Sequence, residues 1–323
     1  MRIRSLLGAL LLLASTGWPA LADDSYPNRP IRLIVPFATG GPSDTVARLL
    51  VPRMSQVLGQ TVIVEARPGA GGVTGVDVAA KSAPDGYTIA MGSAGGLAIS
   101  PSVQPSMPYQ PLRDLAPITL AVIVHEPVVV PASMPWRTMG ELIAAAKAEP
   151  GRLNYGSTGP GSMPHLAGEL IKLTAGVDIT HVPYRGGAPL TVALLASEVQ
   201  MGLADLPILL PQIREGKLRA LAIGSRERYP LLPDVPTMEE AGLPGVMTDN
   251  WHGLVAPAKT PPDVLALLHR AASTALHDPQ TAETLRGQGA IPVGNSMEEF
   301  GAFIRSETER WGEVVQRAGI KPD

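Results

Sequence analysis

"IRLIVPFATGGPSDTVARLL", residues 31–50, decides how the rest of the chain is read. An apolar, β-branched run from Ile31 to Val35, extendable to Phe37, predicts a strand. It ends at two adjacent glycines, Gly40 and Gly41. A helix over Ser43–Leu58 follows, with Val46, Leu49, Leu50, Val57 and Leu58 as its apolar positions. Strand, glycine turn and helix start together present backbone N–H groups to an anion. The plainer reading of the same residues is that glycines and serines start helices in any α/β protein.

The alternation continues outward. Thr61–Glu65 predicts a strand, Val73–Lys81 a helix and Tyr87–Met91 a strand, a βαβαβ unit that implies a parallel sheet with right-handed crossovers. A second unit opens near residue 127. Val128–Val130 predicts a strand, Met139–Ala148 a helix and Leu153–Tyr155 a strand. "GSTGPGSMPH" (156–165) then repeats the strand–glycine–helix logic, with a helix from about Pro164 to Thr174. "DITHVPY", "VQMGLADL" and Arg219–Ile223 read as strands, and "APLTVALLAS" as a helix. "NWHGLVAPAKTPPDVLALLHRAA" reads as strand, loop and helix, with Thr260 as N-cap and Pro261 at the first helical position. Ser296 and Glu299 have capping-box spacing ahead of a last amphipathic helix. Two α/β units, each with a glycine-rich helix start, predict two lobes around a cleft.

Composition narrows the function. The 323 residues are 45% hydrophobic, enough for a large core. Aromatics make up only 4% and no Lys/Arg cluster occurs, so no nucleic-acid partner is expected. Residues 1–22 read as a secretory signal: Arg2 and Arg4, an apolar stretch over Leu6–Ala14 too short to span a bilayer, and an Ala20-Leu21-Ala22 cleavage site. Cleavage after Ala22 removes two basic residues and no acidic one, which takes the formal charge from -3 to -5. The expected compartment is the periplasm. Cysteine is absent, so neither disulfides, a thiolate nucleophile nor a thiolate metal site is available.

The residues argue against most chemistry. Neither glycine loop ends in the Gly-Lys-Ser/Thr of a phosphate-binding loop. "GAGGVTG" (69–75) misses the dinucleotide fingerprint by one residue. "GSTGPGS" is no nucleophile elbow. The histidines at 125, 165, 181, 252, 269 and 277 have no metal-binding spacing, and no cofactor or metal is expected. Ser157 or Ser162 with His165, and Asp205 as a third member, leaves a serine hydrolase as the enzymatic alternative. Anion binding without chemistry fits better. Two helix N-termini facing one ligand, with hydroxyls from Thr39, Ser93, Ser157, Thr158 and Ser162, suit a carboxylate held without an arginine clamp.

Several blocks resemble one family throughout the expected mature chain: "YPNRPIRLIVPFATGGPSDTVAR", "VIVEARPGAGGVTGVDVAAKSAPDGYTI", "LNYGSTGPGSMPHLAGEL", "HVPYRGGAPL", "LRALAIGSRERYPLLPDVPTMEEAGLPG" and "WHGLVAPAKTP". In order and spacing they resemble the extracytoplasmic solute-binding receptors of tripartite tricarboxylate transporters, the TctC/Bug family. That resemblance implies a type II periplasmic binding-protein fold, two α/β lobes with a central interdomain cleft. Lobe 1 would be 23–125 plus 251–323 and lobe 2 126–250, so the C-terminal helices return to the first lobe. It implies a non-enzymatic receptor for a small carboxylate (di- or tricarboxylate, amino acid or aromatic acid). The receptor would be a monomer serving a two-subunit membrane permease; a sensor presenting the bound form to a signalling partner is the alternative. The implied ligand residues are Phe37, Ala38, Thr39, Gly40, Gly41 and Ser43 in the first loop, and Ser157, Thr158, Gly159, Gly161 and Ser162 in the second. His165, Ser93 and Asp205 complete the set. Asp205 would either meet a ligand amine or stabilise a lobe. "GSAGG" at 92–96 departs from the family pattern and predicts a roomier pocket there.

Overall fold

The computed structural model describes residues 25–104 and 106–320. The signal-segment reading of residues 1–22 lies outside the described residues. Among those described, no helix is long and apolar enough to cross a membrane.

The chain builds two sheets. The first contains β1 (Ile31–Val35), β2 (Val62–Ala66), β3 (Thr88–Ser93), β4 (Leu115–Val124), β10 (Asn250–Pro257) and β11 (Ala290–Pro292), in the order β11-β4-β10-β3-β1-β2. The second contains β5 (Pro127–Pro131), β6 (Asn154–Ser157), β7 (Thr180–Pro183), β8 (Met201–Leu203) and β9 (Leu218–Ile223), in the order β7-β6-β8-β5-β9. The helices are α1 (Pro42–Leu58), α2 (Val73–Ala80), α3 (Ser100–Val103), α4 (Pro111–Asp114), α5 (Met139–Ala148), α6 (Met163–Ala175), α7 (Gly187–Leu195), α8 (Leu206–Arg214), α9 (Pro262–Leu276), α10 (Pro279–Gly287) and α11 (Met297–Ala318).

β1 pairs in parallel with β2 and β3, as the βαβαβ pattern predicts. The late strand β10 then inserts antiparallel between β3 and β4. The alternation of β1 sends Ile31, Leu33 and Val35 into one core and Ile34 into another, because successive side chains leave a strand on opposite faces. On the first face α1 and α9 pack through Leu50, Met54, Leu268 and Ala272. On the second, α11 packs Phe300, Ile304 and Trp311 against Trp251. Met163 and Leu166 of α6 join that second core, so the two sheets are bridged by apolar contact as well as by chain crossings.

Three sequence expectations need correction. Thr260 is not the cap of α9: its hydroxyl donates to the Pro257 carbonyl at 2.7 Å and Pro261 is the N-cap. A helix, α8, follows "VQMGLA" directly, where only a strand was expected. The glycines of "GSAGG" do not enlarge the pocket. A Cβ on Gly95 would lie 2.6 Å from the Gly71 carbonyl oxygen and 3.2 Å from that of Gly161. Gly95 is therefore where backbone from the two halves of the chain comes too close for a side chain.

Candidate functional site

One cavity is lined by residues from both sheets. The first contributes Phe37–Thr39 and Gly41–Ser43 from the β1–α1 loop, Ser93 at the end of β3, and Asn250 and His252 on β10. The second contributes Thr158, Ser162–Pro164, Arg185–Pro189, Ala204, Asp205 and Ile208. Of the residues expected from sequence, Phe37, Ala38, Thr39, Gly41, Ser43, Ser93, Thr158, Ser162 and Asp205 are brought together here. Gly40, Ser157, Gly159, Gly161 and His165 do not line it.

Those five serve the loops instead. The Gly40 amide donates to Asp44 Oδ2 at 2.9 Å, and Gly40 takes a left-handed φ of 82° that makes this return possible. The Gly159 amide donates to Ser157 Oγ at 3.1 Å, and the Gly161 amide to His165 Nδ1 at 3.2 Å. Ser157 Oγ also lies 2.6 Å from His181 Nε2, and His181 is stacked between Tyr155 and His165. Burial, followed by the nearby His165 and Lys172, pulls the His181 imidazole down to about 3. His181 is thus a neutral ring holding the second loop. The grouping of Ser157 or Ser162 with His165 and Asp205 does not form: Ser157 meets His181, and Ser162 Oγ donates to the Gly159 carbonyl at 2.6 Å.

The glycine amides therefore brace the loops. The open donors belong to the first turns of helices. α1, α6 and α7 all begin at the cavity, with N-caps Gly41, Ser162 and Gly186, and none of the three has a side-chain cap. The amides of Ser43, Met163 and Gly187 have no hydrogen-bond acceptor among the described residues. Three helix ends with partial positive charge and unused N–H groups have the chemistry to hold an anion.

Sequence reasoning missed two parts of the wall. The first is the α7 start. "VPYRGGAPL" carries the same strand–glycine–helix signal as the two loops that were singled out, and so could have been found. It also brings Arg185, exposed and unpaired among the described residues, to the cavity, against the expectation of a site without arginine. The second is the pair Asn250 and His252. They reach the cavity only because β10 inserts beside β3, placing His252 opposite Ser93. No sequence signal announces that.

Asp205 also has a partner that sequence could not supply. Its Oδ1 accepts from Asn250 Nδ2 at 2.7 Å, and its Oδ2 lies 3.1 Å from His252 Nε2. Both oxygens thus engage residues of the other sheet. Beneath this pair the chain crossings meet: His125 Nδ1 lies 2.6 Å from Asp249 Oδ1, and the adjacent Glu126 is fully buried with neither carboxyl oxygen hydrogen-bonded. Burial first, then Asp205 and Asp249, raise the Glu126 carboxyl well above the usual range.

Two linked α/β halves closing a cavity of uncapped helix starts define a solute-binding receptor of the periplasmic type. The chain belongs to the tripartite tricarboxylate transporter receptor family, whose sequence profile matches residues 46–320. It is 39% identical to Protein BugT of Bordetella pertussis over 321 residues, 99% of this chain and 98% of that one. Two solved structures share the fold closely. Rpa4515 of R. palustris, determined with adipate, is 35% identical with a TM-score of 0.89, covering 92% of this chain and 100% of its own. MatC from Rhodopseudomonas palustris, with bound malate, is 34% identical with a TM-score of 0.85, covering 90% and 100%.

Proposed function

We propose that this protein is an exported, non-enzymatic receptor. It closes on a small carboxylate between its two halves and delivers it, as a monomer, to a two-subunit membrane permease. The halves would be residues 23–125 plus 251–323, and 126–250, moving about the crossings at 125–126 and 249–250. The observation that carries the reading is the convergence of three helix starts with open first-turn amides, from both halves, on one cavity. Such donors suit an anion with planar oxygens and demand no metal or catalytic base. The adipate and malate of the two relatives favour a carboxylic acid, and a dicarboxylate first.

The test is thermal unfolding of the chain from Asp23 onward against mono-, di- and tricarboxylates, amino acids and aromatic acids. A ligand at ~100 times its Kd stabilises the folded state by about 2.7 kcal/mol, a visible rise in Tm. No shift with any acid, on folded and ligand-free protein, would sink the reading.

One arrangement favours a second reading. Ser43, His252 and Asp205 are hydrogen-bonded in series, in the order of a hydrolase triad but with the two ring nitrogens exchanged. Ester or amide turnover that disappears in Ser43→Ala would establish that alternative.

A further inference from the structure

Proton positions in that series can be worked out one bond at a time. Asn250 fixes the start. Its Oδ1 accepts from the Trp251 amide at 2.8 Å, so its Nδ2 is the atom that donates to Asp205. Asp205 is therefore an acceptor. The neighbouring Glu126 is pushed toward its neutral form by burial and then by Asp205. With Oδ1 accepting from Asn250, the acceptor role extended to Oδ2 makes His252 Nε2 the protonated ring nitrogen.

The open question is Nδ1, 3.1 Å from Ser43 Oγ. If Nδ1 is bare, the serine hydroxyl must donate to it, and only serine lone pairs face the cavity. Those oppose a carboxylate. If Nδ1 carries a proton, it donates to Ser43 Oγ and frees the hydroxyl proton for the cavity. The serine then donates to an anion beside the open Ser43 amide.

We propose that the site captures its carboxylate together with one proton, taken up at Nδ1 of His252, so that toward the cavity Ser43 changes from acceptor to donor as the anion arrives. This deepens the carboxylate-receptor reading and rests on it. The anion's charge is met by an imidazolium already braced by Asp205 from the other half, so proton, ligand and closure favour one another. Loading strengthens in acid and release is aided by base.

The charged surroundings are compatible with this. From the second half only Asp205 meets the ring, with Glu126 beside it and Asp249 paired to His125. α1 adds Ser43, while Asp44 is turned to the Gly40 amide and Arg48. β3 adds the uncharged Ser93 and β4 the apolar Val122 in register with His252. Arg185 is the cation of the cavity wall.

The test is calorimetric titration of the mature chain with malate and with adipate, in buffers of different ionisation enthalpy. Measurements run from about pH 6 to about pH 8, where an imidazole changes charge. Net uptake approaching one proton per ligand is expected, with Kd rising by up to about tenfold per pH unit on the basic side. His252→Gln should bind more weakly, exchange no proton and show a flat pH profile. Ser43→Ala should lose the linkage too, and it answers the same question if the histidine variant does not fold. Binding with no proton uptake anywhere in the range overturns the inference and leaves the receptor reading intact. Uptake that persists in both variants also overturns it, because another group then carries the proton. Absence of binding by any carboxylate overturns the receptor reading itself.

Discussion

Helices that begin at the cavity start differently from those that begin at the far surface. At α5, α10 and α11 the N-cap side chains of Thr138, Asp278 and Ser296 accept from the N3 amides, and Ser296 completes a capping box with Glu299. At the cavity, α1, α6 and α7 have no such cap. Ser162 makes the contrast sharpest. It is a good capping residue at an N-cap position, yet its hydroxyl donates backward to Gly159. α2 and α9 also lack a side-chain cap, and so does α8, whose N-cap Asp205 lines the cavity but whose first amide donates to the His125 carbonyl at 3.0 Å, so an uncapped start is not enough to mark a site. What marks it is that three starts with open first-turn amides share one cavity. Stability that a cap would contribute, typically about 1 kcal/mol, is left unrealised where a ligand is to complete the helix.

The largest effect is expected when α1 is given the start that α10 has, an aspartate at the N-cap. Gly41 has extended backbone angles, φ -77° and ψ 172°, that aspartate can adopt, although a Cβ there meets the Ala38 carbonyl oxygen at 3.2 Å. In Gly41→Asp the new carboxylate should fold onto the open first-turn amides and occupy the anion site. Carboxylate affinity is expected to fall at least about 100-fold, or about 2.7 kcal/mol, with the folded state retained. Circular dichroism checks the fold and calorimetry the affinity. Affinity within a few-fold of the parent would remove α1 from the site.

The converse exchange has a smaller effect. Asp278 accepts from both the amide and the hydroxyl of Thr281. Asp278→Ala should cost about 1 kcal/mol of stability in denaturant unfolding and leave ligand affinity unchanged. Weakened binding in that variant would mean that the surface caps and the cavity are coupled, and the division drawn above would fail.

How much of this could be read in advance depended on the distance along the chain. Strand–glycine–helix junctions and the Ser296 capping box are local patterns within about ten residues, and those at 31–50, 154–170 and 296–299 were legible. The α7 start is equally local, although its strand and helix alone do not single it out. Everything that joins the halves is remote. Asp205 and His252 are 47 positions apart, Ser43 and His252 209 apart. The glycines at 71 and 95 matter because backbone at Pro160 and Gly161 lies against them, whereas at 92–96 the departure from the family pattern reads as added room. Even at the legible loops, sequence could not say which amides stay free. That depends on Asp44, Ser157 and His165 reaching back to engage the glycine amides.

The smallest expected effect decides between helix ends and a charged side chain as the holder of the anion. Arg185 lines the cavity but is exposed, unlike the buried Ser43 and Ser162. An exposed guanidinium is screened by water and salt, so its direct contribution should be under about 1 kcal/mol. Charge at a rim acts mainly on association rate. Arg185→Gln should therefore weaken a dicarboxylate only about two- to five-fold, chiefly by slowing its capture, with the loss shrinking as salt is added. Stopped-flow binding across a salt series separates this from a direct clamp. A salt-insensitive loss approaching 100-fold in the dissociation rate would mean that closure buries Arg185 against the ligand. The helix starts would then be the lesser half of the site, and the contrast between capped and uncapped ends would describe stability alone.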